Sequence, residues 1–182
     1  MLDVGQGDAV HPRAWYALYV RSQYERKVVN SLERFAIERY LPVYSERSRW
    51  SDRIKIVERP LFPGYVFSRL APEQRRSTLD IPGVVRIVGA GSKAVPIDDC
   101  EIEAVRRIVQ SGLLLTPIPL FTGGQKVRVV SGSLAGLEGS VIRGARNSLR
   151  LVVSVPLLGR SVAAEIDAVN LVPVTAALQH AA

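Results

Sequence analysis

Residues 113–122 carry Pro117 and Pro119, show no periodic apolar pattern and run into the pair Gly123-Gly124, which reads as a linker. The hydrophobic pattern differs on its two sides. Before the break, apolar residues recur in both strand-like runs and helical stripes; after it, only short β-rich runs occur, separated by Gly, Asn and Ser. A chain of 182 residues divided in this way holds two small domains and is cramped for one large enzyme fold. The boundaries fall at 14–111 for the first domain, 112–122 for the linker and 123–175 for the second domain. Residues 1–13 are expected as a disordered tail, and 176–182 as a short tail beyond the second domain.

In the first domain, residues 15–21 (WYALYVR) are aromatic and aliphatic with little helical periodicity, which predicts a buried opening strand. A helix should follow. Ser22 stands three residues before Glu25, a capping-box spacing, and Val28, Leu32, Phe35 and Ala36 then mark one face. Strands are expected over 40–44 and 54–57, flanking the polar, Arg-rich stretch SERSRWSDR as a loop or hairpin tip. Further strands are expected over 61–70, interrupted at Pro63-Gly64, and over 84–88, with a helical turn in PEQRRSTLD between them. Asp98 is a candidate N-cap for a second helix with the stripe Ile102, Val105, Ile108 and Val109, and Gly112 is its stop. Two helices interleaved with four or five strands make an α+β domain. In the second domain, short strands over 126–130, 140–143, 149–155, 161–166 and 168–172 indicate a small barrel.

Composition narrows the functions. With 47% hydrophobic and 23% charged residues, the chain is an ordinary globular one. Lys and Arg number 24 against 17 Asp and Glu, a formal charge of +7, which favours polyanionic partners through counterion release. Both halves share the excess: 18 basic and 14 acidic residues lie in 1–110, 6 and 3 in 123–182. The single cysteine, Cys100, excludes an intrachain disulfide and a multi-thiolate metal cage, and fits a reducing cytosol. The most apolar stretch, 113–121, is about half the ~20 residues a membrane span needs.

Catalytic signals are weak. His11 and His180 lie near opposite ends, Cys100 has no histidine partner, and the carboxylates form no acid–base pair. The run Gly89-Ala-Gly91-Ser-Lys-Ala94 matches G-x-G-x-x-A, but Pro96 stands where a crossover helix should run, so a β-turn is the better reading. No enzyme, cofactor or metal site is expected.

Three blocks occur in one order: the WYALYV strand before a helix, PLFPGYVF over 60–67, and GQKVRVVSGSLAGLEGSVIRG over 124–144. Together they resemble the NusG family of transcription elongation factors, over nearly the whole chain. The resemblance implies an α+β NGN domain, an antiparallel sheet flanked by helices, joined by a linker to a small all-β KOW barrel of five strands. It implies a cytoplasmic, bacterial, monomeric protein that rides on RNA polymerase. In the family, the NGN domain lays an apolar patch on the clamp helices of the largest catalytic subunit, bridges the DNA cleft, restrains clamp opening and suppresses pausing.

The positions matching that patch are Trp15, Tyr16, Tyr65 and Phe67. On alternating strands half of such aromatics face the domain's own core, so both placements stay open for each. Arg47, Arg49, Trp50 and Arg53 match the region near the non-template DNA strand at the upstream edge of the transcription bubble. There arginines can neutralise phosphates and a tryptophan can stack on an unpaired base, against the alternative of a solvated basic loop. In the barrel, Leu157, Leu158 and Arg160 match the surface that meets a small-subunit ribosomal protein or the termination factor Rho; an ordinary loop between strands is the other reading. Gly132, Gly136 and Gly139 fit turns needing positive φ, and with Gly144 and Pro156 they oppose a helical form of this domain. The run YLPVYSERSRWSDR before ERPLFPGYVF looks more like the specialised UpxY-like and RfaH-like antiterminators than the housekeeping factor. The rival expectation is a KOW-type RNA-binding, ribosome-associated protein.

Overall fold

The computed structural model describes residues 13–50, 53–90, 93–143 and 148–174, with the backbone alone for 47–50 and 53–55. The elements follow in the order β1 (Ala14–Val20), α1 (Glu25–Arg34), β2 (Glu38–Tyr40), β3 (Val43–Trp50), β4 (Arg53–Pro60), β5 (Tyr65–Leu70), α2 (Gln74–Leu79), β6 (Val84–Ile87), β7 (Gly89–Ala90), β8 (Lys93–Ala94) and α3 (Asp99–Gln110). After α3 come β9 (Leu115–Pro119), β10 (Gln125–Val129), β11 (Glu138–Arg143), β12 (Leu149–Val155), β13 (Arg160–Ile166) and β14 (Leu171–Pro173).

The first domain is a four-stranded antiparallel sheet in the order β2-β5-β1-β6. β1 is apolar where helices cover it, α1 on one face and α3 on one end of the other. Tyr16, Leu18 and Val20 pack with Val28 and Leu32 of α1, while Trp15 and Ala17 pack with Ile102, Val105 and Ile108 of α3. α3 also touches β12, so it lies between the sheet and the second domain. Gly112 follows it at φ +72°, the left-handed stop expected there.

The second domain is an antiparallel sheet in the order β14-β10-β11-β12-β13-β9 around Val127, Val129, Leu151, Val153, Val155 and Val162. It is the expected all-β barrel domain with one strand added. The segment read as a linker contributes that strand: β9 pairs with β13 from Arg160↔Pro119 to Ala164↔Leu115. Its prolines are tolerated because β9 is an outer strand, where a missing N–H interrupts no ladder.

Other differences are local. Ser22 does not cap α1: Gln23 takes φ 65°, Tyr24 occupies the cap position, and no side chain caps the helix. Pro42 splits the strand expected over 40–44 into β2 and the start of β3. The Arg-rich stretch is largely paired, since β3 and β4 run in register from Val43↔Pro60 to Trp50↔Arg53. PEQRRSTLD supplies a third helix, α2, and residues 168–170 form a 3-10 turn before β14. Gly132 and Gly136 do take positive φ, whereas Gly139 does not. A Cβ at Gly139 would lie 2.6 Å from the Val152 carbonyl oxygen, so close strand approach is its reason. Gly144, His11 and His180 lie outside the described residues, as do 1–12 and 175–182.

Candidate interaction surface

The turn between β4 and β5 is fixed from two sides. Gly64, at φ +83°, accepts a hydrogen bond from the Val20 N–H at 2.8 Å and donates its own N–H to Glu25 Oε1 at 2.8 Å. A buried carboxylate in the first turn of α1 therefore ties the helix to the Pro63-Gly64 turn, in the position the helix dipole favours for negative charge. This pinning sets the register of β5 against β1 at Tyr19↔Tyr65, Ala17↔Phe67 and Trp15↔Arg69.

Residues opposite one another share a sheet face, so Trp15, Ala17, Tyr19, Tyr65, Phe67 and Arg69 all point one way. α3 covers one end of that face. Trp15, 3% exposed, lies under Arg106, whose guanidinium stands 5.2 Å from its ring and 5.1 Å from that of Tyr40. Phe67 is fully buried edge-on against Phe62 and stacked with Tyr40. Arg69 pairs with Asp99 of α3 at 3.0 Å. The Tyr40 hydroxyl is buried without a hydrogen-bond partner among the described residues. Burial pushes its pKa up to about 12, and the nearby Arg106 charge acts in the opposite direction.

The other end of the face is open. Tyr19 and Tyr65 meet there with ring centroids 5.6 Å apart and planes inclined by 55°. Tyr19 is 38% exposed and carries Arg86 over its ring at 5.5 Å. Tyr16 points through the opposite face, where Arg75 donates to its hydroxyl and stacks on its ring at 4.6 Å. Of the four aromatics named from the sequence, three are interior and Tyr65 alone is partly accessible. Tyr19, accessible at the same end, is not among those four, although its alternation with Trp15 and Ala17 along β1 places it on this face.

The β3–β4 hairpin springs from the β2 side of the sheet, with Arg47 and Arg49 two apart on β3 and Trp50 and Arg53 forming its last rung. Their side chains are outside the described set. At its base, Arg26 of α1 pairs with Glu58 at 3.0 Å and Arg59 with Glu46 at 2.5 Å. In the barrel, residues Pro156–Leu158 form a 3-10 turn ended by Gly159 at φ 61°. Leu158 is 7% exposed and part of the barrel core, Leu157 is half-buried, and Arg160 is exposed. Arg160 lines a cleft of about 850 Å³ shared with Tyr44, Leu61, Phe62 and Pro63 of the first domain. Cys100 is a free, exposed thiol, and no cluster of metal-ligating side chains occurs among the described residues. No described helix is long and apolar enough to cross a membrane.

Residues 13–106, from just before β1 to a point within α3, match the family model described as transcription termination factor nusG. The chain is 31% identical over 168 residues to the transcription termination/antitermination protein NusG of Pseudomonas aeruginosa, covering 85% of this chain and 95% of that protein.

The chain belongs to the NusG family.

NusG of Escherichia coli K12 is also 31% identical, over 169 residues covering 85% of this chain and 93% of its own length. NusG matches therefore extend beyond the first domain into the barrel. Among solved structures, one titled "Domain interaction in Thermotoga maritima NusG" covers 90% of this chain and 98% of its own with a TM-score of 0.54. At 22% identity that likeness speaks for the NusG fold alone.

Proposed function

We propose that this NusG-family chain is a non-enzymatic, cytoplasmic elongation and antitermination factor that acts as a monomer on RNA polymerase. Its first domain docks on the clamp helices of the largest catalytic subunit, bridges the DNA cleft and suppresses pausing. The observation that carries this reading is the open aromatic pair Tyr19–Tyr65 beside the Pro63-Gly64 turn. Exposed aromatics on a rigid support are the anchors that dominate protein interfaces, often at about 2 kcal/mol or more each. Trp15 and Phe67 act from beneath, as the packed floor that holds the two rings in place.

The hairpin residues Arg47, Arg49, Trp50 and Arg53 serve non-template DNA, the arginines at phosphates and Trp50 at an unpaired base. The barrel meets a small-subunit ribosomal protein or Rho through Arg160 and Leu157, with Leu158 anchoring the turn from inside. The resemblance of residues 40–67 to UpxY-like and RfaH-like paralogues supports an operon-specific role.

Single-round transcription on a template with a strong pause tests the reading. Full-length protein should shorten the pause, and the Tyr19→Ala/Tyr65→Ala double variant should not. A pause of unchanged length with the unmodified protein contradicts the proposal.

A further inference from the structure

The segment joining the two domains fills an edge of the barrel that the barrel core does not require. Strands β14-β10-β11-β12-β13 already hold Val127, Val129, Leu151, Val153, Val155 and Val162 of that core. β9 is an additional strand laid along the β13 edge, and Leu115 is its one buried residue.

The pairing has a defined direction. The Leu120 N–H donates to the Gly159 carbonyl at 3.0 Å, and in the same register the N–H groups of Thr116 and Ile118 point to β13. Pro117 and Pro119 stand where a donor would point outward. They therefore cost β9 no bond to β13, and offer no donor to a further strand. Just past β9, two side chains grip the backbone of Phe121. Its N–H donates to Ser161 Oγ at 3.0 Å, and Ser154 Oγ donates to its carbonyl at 3.1 Å, with the two hydroxyls 2.8 Å apart. Ser161 is fully buried.

An edge and a serine pair that read backbone rather than side chains recognise an extended strand, with main-chain hydrogen bonds supplying the affinity. The present occupant is replaceable. Gly112 and the pair Gly123-Gly124 bracket it, one leucine is its share of the core, and Pro117 and Ile118 border the interdomain cleft of about 850 Å³, which gives access. The edge also continues into the turn that carries Leu157 and Arg160, since Arg160 pairs with Pro119. We propose that the β13 edge, with Ser154 and Ser161, is a docking groove for an extended strand of a partner protein, and that residues 115–121 are the stand-in that fills it in the free chain. This rests on the function proposed above in one respect, that the barrel meets a protein through the neighbouring turn.

The test is fluorescence anisotropy of a labelled peptide copying residues 114–122, titrated with the full chain. In the parent, the tethered strand competes at an effective concentration on the order of millimolar, so the peptide should bind poorly. Thr116→Pro combined with Ile118→Pro removes the inward donors of β9 and empties the groove. That variant should still unfold cooperatively on heating and should bind the peptide at least tenfold more tightly than the parent. Exchanging residue 116 with 117 and 118 with 119 in the peptide turns its prolines inward, and should abolish binding. A second measurement needs no variant: in the parent, amide hydrogen exchange at Thr116, Ile118 and Leu120 should be at least tenfold faster than along β12, because β9 opens without the barrel. An unfolded double variant, a peptide affinity no higher than the parent's, equal binding of the rearranged peptide, or exchange as slow as in β12 would each overturn the groove. If the parent binds neither a small-subunit ribosomal protein nor Rho, those partners are removed, and the groove stands or falls on the peptide alone.

Discussion

The Glu25 carboxylate accepts a hydrogen bond from the Gly64 N–H at 2.8 Å across 39 residues of sequence, and so couples the start of α1 to the turn that presents Tyr65. Replacing Glu25 with alanine leaves that part-buried N–H without its partner. Such a loss costs about 1–3 kcal/mol. Urea unfolding of Glu25→Ala should show a lower midpoint of this size, and Glu25→Gln, which keeps an acceptor oxygen, should lose less.

Gly64 itself occupies the left-handed region, where a Cβ costs roughly 1–2 kcal/mol. Its neighbours leave room, since a Cβ would stand 3.5 Å from the Tyr19 ring. Gly64→Ala should therefore lose stability through backbone strain alone, by that amount in the same unfolding measurement.

Leu158 and Arg160 should separate when each is truncated. Leu158 is in the barrel core, and a buried Leu→Ala costs about 2–5 kcal/mol. Arg160→Ala should leave thermal stability within about 0.5 kcal/mol, as expected of an exposed residue without a described ion pair. Calorimetry of the two variants checks the division between packing and surface.

Tyr40 gives a pH dependence with a definite sign. Its phenol is held near 12 in the folded protein against an ordinary value of 10.0, because burial disfavours the phenolate. A raised folded pKa contributes stability that is complete below pH 10 and is lost as pH rises through about 12. Ultraviolet titration should show one tyrosine ionising late, and Tyr40→Phe should remove both that step and the alkaline loss of stability. Because the buried hydroxyl has no partner among the described residues, the variant should be at least as stable as the parent at neutral pH.

Much of this fold is legible from local patterns. The apolar run of β1 implies cover on both faces, and the stripe Ile102, Val105 and Ile108 marks α3 and its buried side. Long-range partners are what local patterns omit. Glu25 has the spacing of a capping box with Ser22, yet the unusual φ of Gln23 turns the chain and the carboxylate bonds to Gly64 instead. Pro117 and Pro119 argue for a linker until the sheet order shows that the strand holding them is an outer one. Trp15, Phe67 and Tyr19 alternate onto one face in any reading of β1 and β5. Where α3 stops along that face decides which of them meets solvent, and no short-range signal encodes that.

The most direct measurement is the affinity of the full chain for core RNA polymerase at low ionic strength, compared with that of a Tyr19→Ala/Tyr65→Ala variant whose circular dichroism matches the parent. The account predicts binding by the parent and a loss of at least tenfold in the variant, about 1.4 kcal/mol. Equal affinity of the two folded proteins, or no affinity in the parent, would contradict it.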